Sequence, residues 1–379
     1  MAVAAKPKTD KAHKAALDLL ARVPFIDGHS DLPYVIRRHA QAKGDVAAYD
    51  LTVLHPESDT DIPRLKAGLV AAQFFAAFIQ PSDPKPAGFA LAQISLMRDM
   101  AALHPDVFIP GLRASDVAKA HKAGKIALFM TIENGAALDN QLDALDAYYA
   151  LGVRLMTLCH NGTIDWCDSA TDAPRHNGLT DFGRSVIGRM NELGMIVDLA
   201  HVTPKVMHDV LDITTAPPVW SHSNVRSLCD HPRNVPVDVL NRVTGSGGIV
   251  MATFVPDFIS QELRDWHRPI KDSFGKTPEG TDPDKAEAEL LRKSGTKPRA
   301  TLEQYCDHLD YLANAIGHEH IGIGSDFFGG PQPVGLEDCS TFPSIFAELI
   351  RRGWSEKNLA RLASGNMLRV MRAVEKAAG

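Results

Sequence analysis

Short apolar runs recur along the chain, each followed by a polar stretch with the period of an amphipathic helix. Eight runs are predicted strands: Val23–Asp31, Val70–Ile79, Ile126–Glu133, Arg154–His160, Met195–His201, Pro218–His222, Gly248–Phe254 and Ile321–Asp326. AAQFFAAFI, KIALFMTI, MIVDLA and GGIVMATF are almost free of polar positions, as a strand covered on both faces of a parallel sheet requires. The segments between them carry helix punctuation. Over Thr180–Leu193 a threonine stands at the N-cap and Gly194 at the stop; over Leu302–Ile316, Tyr305, Leu309, Leu312 and Ile316 make one apolar stripe. Eight alternating units predict an α/β chain folded as a (β/α)8 barrel. One domain is expected over 1–379, because no repeat, low-complexity tract or Pro/Ser-rich linker divides the chain. A helical extension over about 1–22 precedes the first strand. Between the seventh and eighth strands, about 256–300 is highly charged and broken by Gly and Pro, and should form an elaborated loop over one barrel mouth.

Composition narrows the function. With 379 residues, 45% apolar and 23% charged, the chain can build a large core, which excludes disordered, collagenous and fibrous classes. The formal charge is −6, and a nucleic-acid or anionic-membrane partner would need a clustered basic face. No stretch approaches the ~18 apolar residues of a membrane-spanning helix. The N-terminus MAVAAKPKTDKAHKAALDLLA lacks the apolar run of a secretory signal, and RVMRAVEKAAG at the end lacks the hydrophobic tail of a lipid anchor. A cytoplasmic protein without a membrane anchor is therefore expected; a homodimer is left open. Cys159, Cys167, Cys229, Cys306 and Cys339 form no CxxC pair and are odd in number, which points to free thiols in a reducing compartment.

The count that bears on chemistry is 16 histidines. Catalytic groups of a (β/α)8 barrel sit at the C-terminal ends of its strands, and here apolar runs end in FIDGHSD, TIEN, LCHN, DLAH, WSHS and GSDF. His29 and Asp31, at i and i+2 of the first strand, should project from one face while Ser30 points away. Taken singly, such a pair is more often a satisfied histidine than a ligand. The co-location of His29, Asp31, Glu133, His201 and His222 at one barrel end is different, because it concentrates ionisable groups that are tolerated only when paired or metal-bound. Five ligands exceed one tetrahedral zinc with an open position and suit two metals sharing a carboxylate. Glu133 is the natural bridge: it is anionic, has two oxygens, and lies in chain order between the first-strand pair and the later histidines. Imidazole with carboxylate favours Zn2+, with iron, manganese and cobalt left open by ligand type.

These motifs resemble a known family. FIDGHSDLP, the glutamate of IEN, RLMTLCHN, VDLAHVT, PVWSHS, RNVPVDVL, IGIGSDF and GNMLRV occur in the order found in the membrane (renal-type) dipeptidases, zinc peptidases of the amidohydrolase superfamily. The resemblance covers nearly the whole chain and implies a TIM barrel of the metal-dependent hydrolase type. It implies two zinc ions per chain, His29 and Asp31 on one, His201 and His222 on the other, and Glu133 bridging. It further implies that His160 contacts the substrate and its scissile carbonyl, that Arg233 holds the substrate carboxylate, and that Asp326 is the catalytic aspartate. The implied reaction is hydrolysis of dipeptides by a metal-bridging hydroxide, with acceptance of a C-terminal D-residue left open. Bottom-up chemistry assigns the same roles: His160 as donor to the developing oxyanion and Asp326 as the group that takes and returns a proton. Two positions depart from the family pattern, Asn134 where glycine is usual and Phe328 where a second aspartate is common. The absence of disulfide and anchor signals is similar to the soluble bacterial branch. The rival reaction is hydrolysis of N-acyl amino acids, lactams or lactones on the same metals; the rival from another class is a binding protein that kept the barrel and lost its chemistry.

Overall fold

The computed structural model describes residues 10–56, 58–80, 83–272, 277, 280–327 and 331–378. Nine strands form one parallel sheet: β1 (Phe25–Ser30), β2 (Val70–Phe78), β3 (Phe108–Gly111), β4 (Ile126–Glu133), β5 (Val153–Thr157), β6 (Ile196–Asp198), β7 (Val219–Trp220), β8 (Ile249–Ala252) and β9 (Ile321–Ile323). Neighbours run β1-β2-β4-β5-β6-β7-β8-β9, with β3 off this path and paired to β4. This is a nearly closed eight-stranded (β/α)8 TIM barrel with helices outside. β3 is the strand absent from the eight predicted runs. It pairs with Ile126–Phe129 of β4, while β5 pairs with Met130–Glu133, so both share one edge of β4 and β3 wedges in only at the N-terminal half.

The barrel floor is apolar. Phe74 and Phe129 are register partners on β2 and β4 and stack with centroids 4.7 Å apart, among buried Ile26, Leu155 and Met251. Above that floor the same inward face turns polar: Glu133 pairs with Thr157 and Thr157 with Asp198, so one register row across β4, β5 and β6 carries all three. The seam between β9 and β1 has few ladder bonds, Asp326 N–H to His29 O (3.2 Å) and Asp31 N–H to Phe327 O (3.2 Å). Asp27 closes it by side chain. Its Oδ1 accepts from Ser325 N–H (2.7 Å), and its Oδ2 accepts from the Ser325 hydroxyl (2.6 Å) and from Gln73 Nε2 on β2 (2.7 Å). Burial pushes Asp27 up to about 6 against those bonds.

The helical expectations meet their caps. Thr180 accepts from Gly183 N–H ahead of the helix Asp181–Leu193, and Gly194 stops it in the left-handed region. Leu302–Ile316 is a helix with Thr301 and Gln304 as a capping box, burying the stripe Tyr305, Leu309, Leu312 and Ile316. In the N-terminal extension, Lys11–Arg22 is helical; residues 1–9 lie outside the described residues. The segment between β8 and β9 holds the helices Pro256–Ile259, Gln261–His267 and Pro283–Ser294. Its first part is bonded to the loop after β7: Arg264 Nε donates to Asp230 Oδ1 (2.5 Å), and Asn234 Nδ2 donates to Phe258 O (2.8 Å). His308, buried on the helix Leu302–Ile316, joins the same two loops, accepting from Val225 N–H at Nδ1 (3.2 Å) and facing Ile259 O from Nε2 (3.0 Å). Among the described residues no helix is long and apolar enough to cross a membrane, and all five cysteines are free and buried.

Candidate metal centre

Each of the eight side chains singled out in the sequence is carried by the C-terminal end of a strand or the loop after it. His29 is the penultimate residue of β1, within a register irregularity between Asp27 and Ser30. Asp31 does not continue the strand, as i, i+2 geometry would have it; with φ −93° and ψ 18° it occupies the N-cap position of the helix Leu32–Arg38. Glu133 is the last residue of β4. His160, His201 and His222 follow β5, β6 and β7, Arg233 lies in the loop after β7, and Asp326 follows β9.

Glu133, 2% exposed, is the centre of the cluster. Its Oε2 lies 3.5 Å from His29 Nε2. Its Oε1 lies 3.0 Å from His201 Nε2, 3.4 Å from His222 Nε2 and 3.7 Å from His160 Nε2. His29 Nε2 is also 3.8 Å from Asp31 Oδ1 and 3.7 Å from Asp326 Oδ1. Three sets can hold a metal ion: His29 with Asp31 and Glu133, Glu133 with His201 and His222, and His29 with His222 and Asp326, the ligand atoms of each within 4.8 Å of one another. One carboxylate thus presents a different oxygen to each side.

Hydrogen bonds behind the rings fix their tautomers. The His222 ring meets the Ser221 hydroxyl through Nδ1 (2.8 Å), and that hydroxyl donates to Asp198 Oδ2 (2.6 Å), so the serine oxygen accepts and Nδ1 carries the proton. His201 Nδ1 faces the Asn161 carbonyl oxygen (3.1 Å), which accepts. Both rings therefore turn the Nε2 lone pair inward, and the two nitrogens stand 2.9 Å apart. Two lone pairs at that separation repel, and a cation held by His201, His222 and Glu133 would turn that repulsion into attraction. His29 Nε2 and Asp31 Oδ1 are buried with no hydrogen-bond partner, a condition costing about 1–3 kcal/mol per group that a metal relieves. The donor set, imidazole nitrogen and carboxylate oxygen, suits zinc.

The electrostatics without a cation are those of crowded, dehydrated groups. Burial pushes Glu133 up to about 7 and Asp326 up to about 6. Burial, with Arg233 and the other imidazoles, holds His201 and His222 well below the ordinary histidine value. His29 goes the other way: burial opposes its charge, but Glu133 and Asp31 outweigh it and hold the ring well above that value. A divalent ion would keep carboxylates ionised and imidazoles deprotonated.

Arg233 is 2% exposed rather than lying on the surface, although HPRNVP reads as a turn-rich loop. Burial lowers its pKa against the pull of Asp326 and Glu133, and its Nη1 has no hydrogen-bond partner. His160 packs edge-on against Phe78 at 4.6 Å and lies 4.1 Å from the His201 ring. His201 (φ 70°) and Asp326 (φ 61°) both hold left-handed backbone, where side chains are disfavoured and active-site residues recur. Asn134 has φ 98°, a backbone conformation that glycine adopts without strain and other residues rarely do. Asparagine compensates by accepting from Ala136 N–H (3.1 Å) and donating to Ile79 O (3.0 Å). Phe328 lies outside the described residues.

The sequence profile described as membrane dipeptidase (peptidase family M19) matches residues 13–379. The chain belongs to this membrane dipeptidase family. It is a metallopeptidase-family hydrolase acting on peptide bonds. Dipeptidase 3 of Rattus norvegicus is 35% identical over 375 residues, covering 97% of this chain and 68% of that protein. A dipeptidase of Schizosaccharomyces pombe is 35% identical over 374 residues, covering 94% and 82%. The crystal structure of the probable dipeptidase PvdM from Pseudomonas aeruginosa superposes with a TM-score of 0.83 at 25% identity, covering 97% of this chain and 99% of that one.

Three residues behind the cluster of this membrane dipeptidase family member, Asp198, Ser221 and Asn161, are not among those the sequence singles out. Asp198 is buried and accepts from Thr157 Oγ1 (2.5 Å), Ser221 Oγ (2.6 Å), Ser221 N–H (2.8 Å) and Ala200 N–H (3.1 Å). Ser221 and Asn161 orient His222 and His201. A charged residue inside the apolar run MIVDLA was the available signal for Asp198; Ser221 and Asn161 gave none, since their roles depend on contacts between different strand ends.

Proposed function

We propose that the chain is a binuclear zinc dipeptidase, with His29 and Asp31 holding one ion, His201 and His222 the other, and Glu133 bridging. When bound, a zinc pair supplies Lewis acidity that acidifies water and polarises the peptide carbonyl. The remaining steps belong to the chain's own side chains. Asp326, at the seam and 3.7 Å from His29, receives a proton from the attacking water and returns it to the leaving amine. His160 donates a hydrogen bond to the carbonyl oxygen as charge develops there, a contribution of about 3 kcal/mol in comparable sites. Arg233 pairs with the free C-terminal carboxylate, which limits the substrate to dipeptides.

One observation carries this reading: the two Nε2 lone pairs of His201 and His222, 2.9 Å apart, converge on one oxygen of Glu133 while His29 faces the other. The test is elemental analysis of protein purified without chelator, paired with turnover of L,L- and L,D-dipeptides, N-acyl amino acids and lactones. About two zinc equivalents and cleavage of dipeptides alone are expected. Another metal at two equivalents would correct the ion only; preferential turnover of N-acyl amino acids or lactones would overturn the substrate class.

A further inference from the structure

We propose that the two sides of the cluster are unequal, and that Asp198, acting through Ser221, makes the His201–His222 side the one that fills first. The inference rests on the two-ion reading and adds Asp198 and Ser221, which no part of that reading uses. Four donors surround Asp198, which offers them only acceptor atoms. The single Ser221 hydroxyl proton is directed to Asp198 Oδ2, so the Ser221 oxygen can only accept from His222 Nδ1. One proton arrangement is therefore dictated from the register row of Thr157 and Asp198 up to His222, and it leaves Nε2 as a ligand before any ion arrives. His201 is fixed similarly by Asn161, whose carbonyl oxygen is itself held by Thr171 Oγ1 (3.2 Å).

The other side lacks this support. His29 Nδ1 is buried and has no hydrogen-bond partner, so no bond behind the ring holds it; the ring only packs against His222, tilted by 38° with centroids 4.0 Å apart. Its partners Asp31 and Asp326 stand at the rim of burial, 8% and 9% exposed, against 5% and 0% for His201 and His222. A histidine whose second nitrogen is bonded typically binds metal about 10–100-fold more tightly than one without that bond. Ser221 and Asp198 are positioning residues: they touch neither ion nor substrate.

The experiment is a titration of chelator-treated full-length protein with Zn2+ against a chromophoric chelator, repeated with Co2+ and followed by visible absorption. Wild type should take two equivalents in two steps separated by at least about tenfold. Ser221→Ala should weaken the first step by about 10–100-fold and change the Co2+ spectrum of the first equivalent. Ser223→Ala, an equally buried serine whose hydroxyl has no partner, should change neither. His29→Ala should remove the second step and retain the first. Far-UV circular dichroism of the metal-free variants establishes that they are folded. Two equal steps in wild type, an unaltered first step in Ser221→Ala, or loss of the tight step in His29→Ala would overturn the inference while the two-ion reading stands. A total of one equivalent would overturn both, and stoichiometry alone separates that case.

Discussion

Arg233→Met isolates the group proposed to read the substrate carboxylate. The guanidinium is fully buried in the protein before substrate arrives, and its Nη1 lacks a partner, so its own desolvation is already part of folding. Only the incoming carboxylate has still to lose water. At an effective dielectric near 20 and ~4 Å the attraction is about 4 kcal/mol; carboxylate desolvation leaves about 2–3 kcal/mol, or about 30–150-fold in kcat/KM. Methionine keeps most of the volume against Phe258, whose ring lies 5.3 Å from the Arg233 guanidinium carbon. The assay is a four-way cycle: wild type and variant, each with a dipeptide and the same dipeptide amide. Wild type should prefer the free acid by about the same factor that the variant loses, and the variant should barely distinguish the two. A wild type that cleaves amide and acid equally, or a variant retaining the full preference, would refute the assignment.

Glu133→Gln should lower zinc content on both sides of the cluster at once, because the two oxygens serve different ligand sets; a loss confined to one equivalent makes Glu133 a terminal ligand. Asp326→Asn should retain metal and lose about 10²–10⁴ in kcat, and activity within a few-fold of wild type would make Asp326 structural. Asn134→Ala removes two hydrogen bonds and keeps the disfavoured φ of 98°, so urea unfolding should register about 2–3 kcal/mol, with Asn134→Gly milder by about 1 kcal/mol. His308 is pushed down to about 4 by burial. The unfolded chain therefore takes up a proton first as pH falls below ~6.5, and stability present above that value should fall by about 2 kcal/mol by about pH 5. Urea midpoints of chelated protein across that range should show a smaller decline in His308→Gln; an equal decline would assign it elsewhere.

Local determinants of the fold are legible in the sequence, and those that depend on distant partners are not. Ile126–Glu133 matches β4 to the residue because a continuous apolar run bounded by Gly124 and Asn134 is a local signal. β3 is four residues, FIPG, and its proline and glycine look like a turn until β4 supplies a partner. The runs ending in His201 and His222 overshoot β6 and β7, since the last residues leave the ladder at the barrel mouth, His201 by entering left-handed backbone. The clustered side chains were legible because each lies at or just after the end of an apolar run. Burial of Arg233 was not, because it depends on the loop after β8 covering the loop after β7. The same holds for Ser221 and Asn161, ordinary polar residues whose work is set by what lies across the barrel mouth.

The thinly laddered seam also sets a schedule for biosynthesis. Asp27 and Ser325 are 298 residues apart, whereas His201 and His222 are 21 apart on adjacent strands. A chain leaving the ribosome N-terminus first exposes the close pair long before the residue that staples β1 arrives, and His29 must wait for Asp326 to reach it. Closing so long a loop is the slow, entropically costly event in folding such a topology. The roles proposed for His29 and Asp326 therefore require the last barrel strand to be docked against β1 before the two side chains share one site.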